Sequence, residues 1–63
     1  MNYYSYSGPV INNFNKVIVN NWSGETYANT DKKAISNLSY QFKMEHGLLQ
    51  TANIKLFNKP IKG

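Results

Sequence analysis

The longest run of helical periodicity in the sequence extends from Thr30 to Gly47. Its apolar side chains recur at three- and four-residue spacing and fall on one stripe, formed by Ala34, Ile35, Leu38 and Phe42. Thr30 is a good N-cap residue, and Gly47 can adopt the left-handed conformation that ends many helices. We therefore predict one helix here, with its apolar stripe turned towards the rest of the chain.

The opposite face of this helix combines lysines with two large apolar side chains. Tyr40 and Met44 are four residues apart and are neighbours on a helix. They either form a surface for a protein partner or simply cover lysine stems. Lys32 and Lys33 lie in the first turn, where positive charge opposes the helix dipole but free N–H groups attract anions. They either hold a phosphate or are solvated and screened by salt.

Segments on both sides of the helix have the alternation and β-branched content of strands. The predicted strands are residues 2–7, 16–22, 25–29 and 52–57. Gly8-Pro9 predicts a break after the first strand, because proline cannot donate to a ladder. Asn12-Asn13 marks a loop, and Ser23-Gly24 predicts a two-residue hairpin turn. These elements predict an α+β fold in the order β-β-β-α-β, a small antiparallel sheet with one helix packed across a face.

Sixty-three residues form a single small domain, and residues 58–63 are predicted as a flexible tail. The chain has no cysteine to form a disulfide. One histidine and three carboxylates (Glu25, Asp31 and Glu45) make a poor metal-binding set. Stability should therefore come from an efficient aromatic core or from self-association.

Catalytic chemistry has little support in the sequence. His46 has no candidate nucleophile near it, the three carboxylates are scattered, and the glycines do not form a phosphate-binding loop. We expect no enzyme activity and no cofactor. No signal peptide and no apolar run of about 18 residues is present, which predicts a cytoplasmic protein with no membrane partner.

The formal net charge is +4, and its basic residues are all lysines. Residues 31–63 hold six of the seven lysines, so the helix and the region after it form the basic part of the chain. A basic surface favours nucleic acid as a partner. Without arginine, contacts to phosphates should dominate and base discrimination should be weak. The candidate contacts are Lys32, Lys33, Lys43, Lys55, Lys59 and Lys62.

Trp22 has two alternative interpretations. It is either a platform on which a base stacks or the largest residue of the core, packed on the helix near Leu38 or Phe42. The second is favoured, because a domain of this size needs the apolar area that a buried tryptophan provides.

Three segments carry a family resemblance: YSGPV at residues 6–10, WSGETYA at 22–28 and KAISNLSYQFK at 33–43. Together they resemble short accessory proteins of phages and conjugative transposons of Gram-positive bacteria. This resemblance implies a mobile-element setting and does not imply an activity. The predicted order of three strands and a helix also looks like the arm-site DNA-binding domain of tyrosine integrases, whose sheet enters the major groove. The present chain departs from that domain by a fourth strand and by the absence of arginine.

Two functional hypotheses follow. The first is a small basic module of a mobile genetic element that binds DNA or RNA through phosphate contacts. The alternative is a phage-encoded inhibitor or adaptor that docks the Tyr40–Met44 face on a host protein, or on a second copy of itself in a homodimer.

Overall fold

The computed structural model describes residues 1–49 and 51–63, which contain four strands and one helix. The elements are β1 (Asn2–Asn12), β2 (Val17–Ala28), α1 (Asp31–Glu45), β3 (Ile54–Leu56) and β4 (Ile61–Lys62). β1 is central: it pairs antiparallel with β2 on one side and with β3 and β4 on the other. The α+β class, with an antiparallel sheet and one helix packed against it, is confirmed.

The order of the strands differs from the prediction. Two long strands precede the helix and two short ones follow it, so the order is β-β-α-β-β. The hairpin turn lies between Asn12 and Val17, where the Asn12 side chain accepts hydrogen bonds from the amides of Phe14 and Lys16 at 2.8 and 3.0 Å. The turn predicted at Ser23-Gly24 was wrong, because both residues pair with β1 inside β2. The three-strand order behind the integrase likeness does not occur.

The predicted break at Gly8-Pro9 was also wrong, because β1 continues through both residues. β2 adapts to this segment with two register shifts, one between Gly8 and Val10 and one between Val10 and Ile11. At each shift β2 supplies one residue more than β1, as in a β-bulge. The Pro9 carbonyl accepts a hydrogen bond from the Phe57 amide at 3.2 Å, so the missing N–H of Pro9 faces the side opposite β2, where the ladder to β3 and β4 is interrupted.

Residues 54–63 behave as one interrupted strand. β3 and β4 pair with β1 in the same register, so the second continues the line of the first. Where the ladder is interrupted, the Tyr6 hydroxyl accepts hydrogen bonds from the amides of Phe57 (3.1 Å) and Asn58 (3.4 Å). The same hydroxyl donates to the Pro9 carbonyl at 2.5 Å. The side chain of Tyr6 thus supplies hydrogen bonds between β1 and residues 57–58, where the backbone ladder is interrupted.

Residues 58–63, predicted as a flexible tail, contain a short strand. Ile61 and Lys62 form β4, and the amide of Gly63 donates to the carbonyl of Tyr3 at 2.9 Å. This strand has only two residues and follows a proline, so its local sequence carries almost no strand signal. The flexibility of the segment stays a prediction.

The side of the sheet that α1 packs against, called here the covered face, holds the core. Ala34, Leu38 and Phe42 of the helix are fully buried, which confirms the predicted stripe, and Ile35 at its edge is half-buried. They contact two clusters of sheet residues, one formed by Tyr6, Val10 and Trp22 and the other by Tyr4 and Ala28. Trp22 is 7% exposed and meets Phe42 edge to face at 5.4 Å, so its core role is confirmed.

The ends of α1 follow the predicted signals. The Thr30 hydroxyl accepts a hydrogen bond from the Lys33 amide at 3.1 Å, as an N-cap residue does. At the other end Gly47 has φ 65°, and the Leu48 amide donates to the Lys43 carbonyl at 2.8 Å. This is the Schellman arrangement, which satisfies a carbonyl of the last turn.

Candidate nucleic-acid interface

The structure distributes the six predicted lysines over the helix and the last strand. Lys32 and Lys33 lie in the first turn of α1 and Lys43 in its last turn, while the others lie in or between β3 and β4: Lys55, Lys59 and Lys62. Lys43 is half-buried, and the other five are exposed. The lysines therefore do not form one continuous patch, although several share one end of the molecule.

That shared end is the region around the start of α1. Lys32 and Lys33 line a shallow cavity of about 330 Å³ together with Thr30 and Ser36. Lys62 is nearby in the fold, because it pairs with Tyr4, and the Tyr4 hydroxyl reaches Asp31 in the first helical turn. Lys32 and Lys33 therefore lie at the helix start, and Lys62 is connected to it through Tyr4.

The carboxylates of the protein are engaged by aromatic side chains. The three donor–acceptor pairs are Tyr3–Glu25, Tyr4–Asp31 at 2.8 Å and Trp22–Glu45 at 2.6 Å. The hydrogen bond to Glu25 raises the pKa of Tyr3, and the hydrogen bond to Asp31, together with desolvation, raises the pKa of Tyr4. These pairs hold the acids beside the sheet.

The exposed candidate lysines have no such partner among the described residues. Within residues 1–49 and 51–63, no ion pair joins a carboxylate to Lys32, Lys33, Lys55, Lys59 or Lys62. Sequence reasoning missed this separation because the partners in each acid–aromatic pair are 22–27 residues apart. The result is that the positive charge of these lysines is directed to solvent.

The side of the sheet opposite α1, called here the open face, presents aromatic rings. Tyr27 is 63% exposed and meets Tyr3, its partner in register, edge to face at 5.4 Å. Phe57 is also 63% exposed. Phe57 lies one residue beyond the end of β3, but its amide still pairs with the carbonyl of Pro9 in β1 at 3.2 Å. Because Leu56 packs against the core, this continued pairing turns Phe57 to the open face.

Small polar side chains lie between these rings. Ser5, Ser7, Ser23 and Glu25 line a shallow cavity of about 500 Å³, and Ile61 forms part of its wall. Sequence reasoning missed this surface because the predicted turn at Ser23-Gly24 divided β2 into two strands. The alternation of Tyr3, Ser5 and Ser7 was the available signal that these residues share a face.

The Tyr40–Met44 face lies on the outer side of α1. Tyr40 is 48% exposed and Met44 is 57% exposed, so both are accessible to a partner. His46 caps the end of the helix, where its ring stacks on Phe42 at 4.1 Å. Use of the Tyr40–Met44 face by a protein stays a prediction.

In the part of the chain that the structure describes, no helix has the length and apolar character needed to cross a membrane. The same residues contain no group of three or more side chains suited to a metal ion. Comparison with protein-family models, curated proteins and solved structures found no match to this chain.

Proposed function

We propose that this protein is a small basic binding module of a mobile genetic element that contacts nucleic acid mainly through phosphates. The observation that carries this proposal is that the exposed candidate lysines are not paired with carboxylates within the described residues. The carboxylates accept hydrogen bonds from Tyr3, Tyr4 and Trp22, whereas the exposed candidate lysines have no ion pair within the described residues. The positive charge is thus available to an anionic partner.

Phosphate contact also fits the kind of cation present. A lysine ammonium acts as a point charge, and it lacks the planar fork with which arginine recognises guanine. Binding should therefore depend steeply on salt and weakly on base sequence. The start of α1 is the strongest local candidate, because Lys32 and Lys33 add to the positive end of the helix dipole.

A charge-reversal experiment tests this proposal. We expect Lys32→Glu with Lys33→Glu to abolish nucleic-acid binding, because it replaces both cations at the helix start. The same change should make the isolated fold slightly more stable, by about 0.3–1 kcal/mol for each residue at low salt, because acidic side chains suit that end of the dipole. Fluorescence anisotropy against salt concentration measures the binding, and a log–log slope of about −0.9 per duplex phosphate contacted is expected.

Lys16→Glu is the control, because Lys16 is an exposed lysine in the hairpin turn, outside the candidate set. It should weaken binding much less than the double substitution at the helix start does. Binding that survives the double substitution, or that does not change with salt, would contradict the proposal.

A second candidate function rests on the exposure of Tyr40 and Met44 on the outer side of α1. In this alternative the protein is an inhibitor or adaptor that docks this face on a host protein or on a second copy of itself. Tyr40→Ala should then weaken association and leave the fold intact. Sedimentation at several concentrations and a pull-down from host lysate, with parent and variant compared, measure this effect; identical behaviour of the two proteins would reject the alternative.

A further inference from the structure

We infer that the nucleic acid is single-stranded and crosses the open face of the sheet, with bases stacked on Tyr27 and Phe57. This inference rests on the proposed function. It names the form of the nucleic acid and extends the contact surface from the helix start to the open face, whose Tyr27 lies three residues before the N-cap Thr30. It starts from an unusual property of the open face. This face exposes large aromatic rings, whereas the aromatic residues on the covered face of the sheet are buried.

The rings are accessible, and pairing with β1 holds the backbone that carries each of them. Tyr27 lies in β2, where Ala28 beside it is buried against α1, so Tyr27 has to point to the open side. Contact with Tyr3 orients its ring. Phe57 is held by the hydrogen bond from its amide to the Pro9 carbonyl at 3.2 Å. Stacking of a base on either ring therefore does not require the backbone to become ordered first.

The spacing of the rings suits a short strand of nucleic acid. Tyr27 lies opposite Tyr3, and Phe57 is bonded to Pro9, six residues further along β1. At about 3.4 Å per residue, the two positions are roughly 20 Å apart along the sheet. A strand of a few nucleotides covers this distance, in line with the sites of about 4 or more nucleotides found on other small single-strand-binding folds.

The surface between the rings suits unpaired bases and sugars. Ser5, Ser7 and Ser23 line the cavity there, and each hydroxyl can donate and accept a hydrogen bond. The bases of a duplex are already stacked and paired, so they cannot stack on Tyr27 and Phe57. The open face therefore favours a single strand over a duplex.

Charge on this face comes from lysines at one end and from one acid. Lys55 lies between Ile54 and Leu56, which both pack against the core, so Lys55 points to the open side. Exposed Lys59 follows Phe57 by two residues. Glu25 is the opposing charge, and the Tyr3 hydroxyl donates to it. This acid provides a test, because its charge should repel a strand that crosses the face.

The experiment measures anisotropy of a labelled thymidine oligonucleotide of about 12 nucleotides and of its duplex with the complementary adenosine strand. We expect the single strand to bind more tightly, and Tyr27→Leu and Phe57→Leu to weaken its binding about 10-fold each. Leucine keeps an apolar side chain of similar reach, and circular dichroism checks the fold. Glu25→Gln keeps an acceptor for Tyr3 and should tighten binding roughly twofold to fivefold.

Phe14→Leu is the matched control, because Phe14 is 81% exposed but lies in the hairpin turn beyond the sheet. It should bind as the parent does. If the parent binds nucleic acid with the expected salt dependence but Tyr27→Leu and Phe57→Leu do not weaken it, the open-face inference is wrong and the proposed function stands. Absence of any binding by the parent rejects both. A parent dimer that these two substitutions dissociate would identify the open face as a contact between copies and overturn the inference.

Discussion

The covered face of the sheet buries its aromatic side chains, whereas the open face exposes them. On the covered face the polar atoms of Tyr4, Tyr6 and Trp22 all have hydrogen-bond partners inside the fold. On the open face Tyr27 and Phe57 present most of their rings to solvent. The same residue types thus serve stability on one side of a single sheet and are free to serve binding on the other.

This difference arises from where α1 packs. The helix buries the covered face with Ala34, Leu38 and Phe42, and no described element covers the opposite side. An antiparallel sheet can leave one face solvated, and the serines between Tyr27 and Phe57 supply polar side chains to that face. Substitutions on the covered face should therefore change stability, and substitutions on the open face should mainly change binding.

The largest effect is expected at Leu38, which is fully buried between the helix and the sheet. Leu38→Ala should cost about 2–5 kcal/mol of unfolding free energy, because it removes apolar contacts and leaves a cavity. Denaturant melts measure the loss, and Tyr27→Ala on the open face serves as the comparison with a smaller loss of about 0.5–1.5 kcal/mol, from its ring contact with Tyr3. A loss below about 1 kcal/mol for Leu38→Ala would mean that this residue is not central to the core.

A smaller effect is expected at Gly24, which lies beside the ring of Trp22 within β2. A Cβ atom added at Gly24 would lie 2.6 Å from Cη2 of Trp22, so the ring or the strand has to move. Gly24→Ala should destabilise the fold by about 1–3 kcal/mol, the usual cost of overpacking. Ser23→Thr adds a methyl group to the adjacent residue on the open face and should change stability little. Equal losses in the two variants would remove the contrast between the faces.

The Tyr6 hydroxyl should contribute less than either packing contact. Tyr6→Phe removes the acceptor for the amides of Phe57 and Asn58 and the donor to the Pro9 carbonyl. We expect a loss of about 0.5–1.5 kcal/mol, because water can reach the two amides in part. Equilibrium melts measure it, and amide exchange at residues 57 and 58 should accelerate. Unchanged exchange there would show that the hydroxyl does not hold the interrupted strand.

The smallest expected effect is a change in folding stability at alkaline pH. Because its hydrogen bond to Asp31 raises the pKa of Tyr4 above the ordinary value of 10.0, folding favours the protonated phenol. This contribution is complete below about pH 10 and is lost as the pH rises through the raised pKa. Thermal melts from pH 8 to 12 should show a shallower decline for Tyr4→Phe, with a remainder from Tyr3, whose pKa is raised in the same direction. Identical pH profiles for parent and variant would contradict the role of this bond.

The helix could be predicted from the sequence because its signals are local. The apolar stripe, the cap at Thr30 and the glycine at position 47 each depend only on residues a few positions away along the chain. Gly8-Pro9 and Ser23-Gly24 are also local turn signals, but pairing along the long β1–β2 hairpin overrides both. Local preference fails here because cross-strand pairing and burial against α1 decide the strand boundaries.

The candidate interface could be predicted only in part. The lysines and the exposed Tyr40 and Met44 could be named from the sequence, because charge and helical phase are local properties. The acid–aromatic pairs and the open face could not, because they depend on contacts between distant residues and on the true register of β2. The same register error hid the relation between Tyr3 and Tyr27.

The interrupted strand at residues 54–63 also bears on the order in which the chain folds. β1 and β2 are adjacent in sequence, and α1 follows at once, so these elements can assemble through short loops. The contact between Tyr6 and Phe57 instead closes a loop of 51 residues, which costs more chain entropy. We expect β3 and β4 to dock last. Until they do, one edge of β1 remains unpaired and is the place where two folding chains would first join. Pulse-labelled hydrogen exchange would show late protection at residues 57–63 if this order is correct, and simultaneous protection of all strands if it is not.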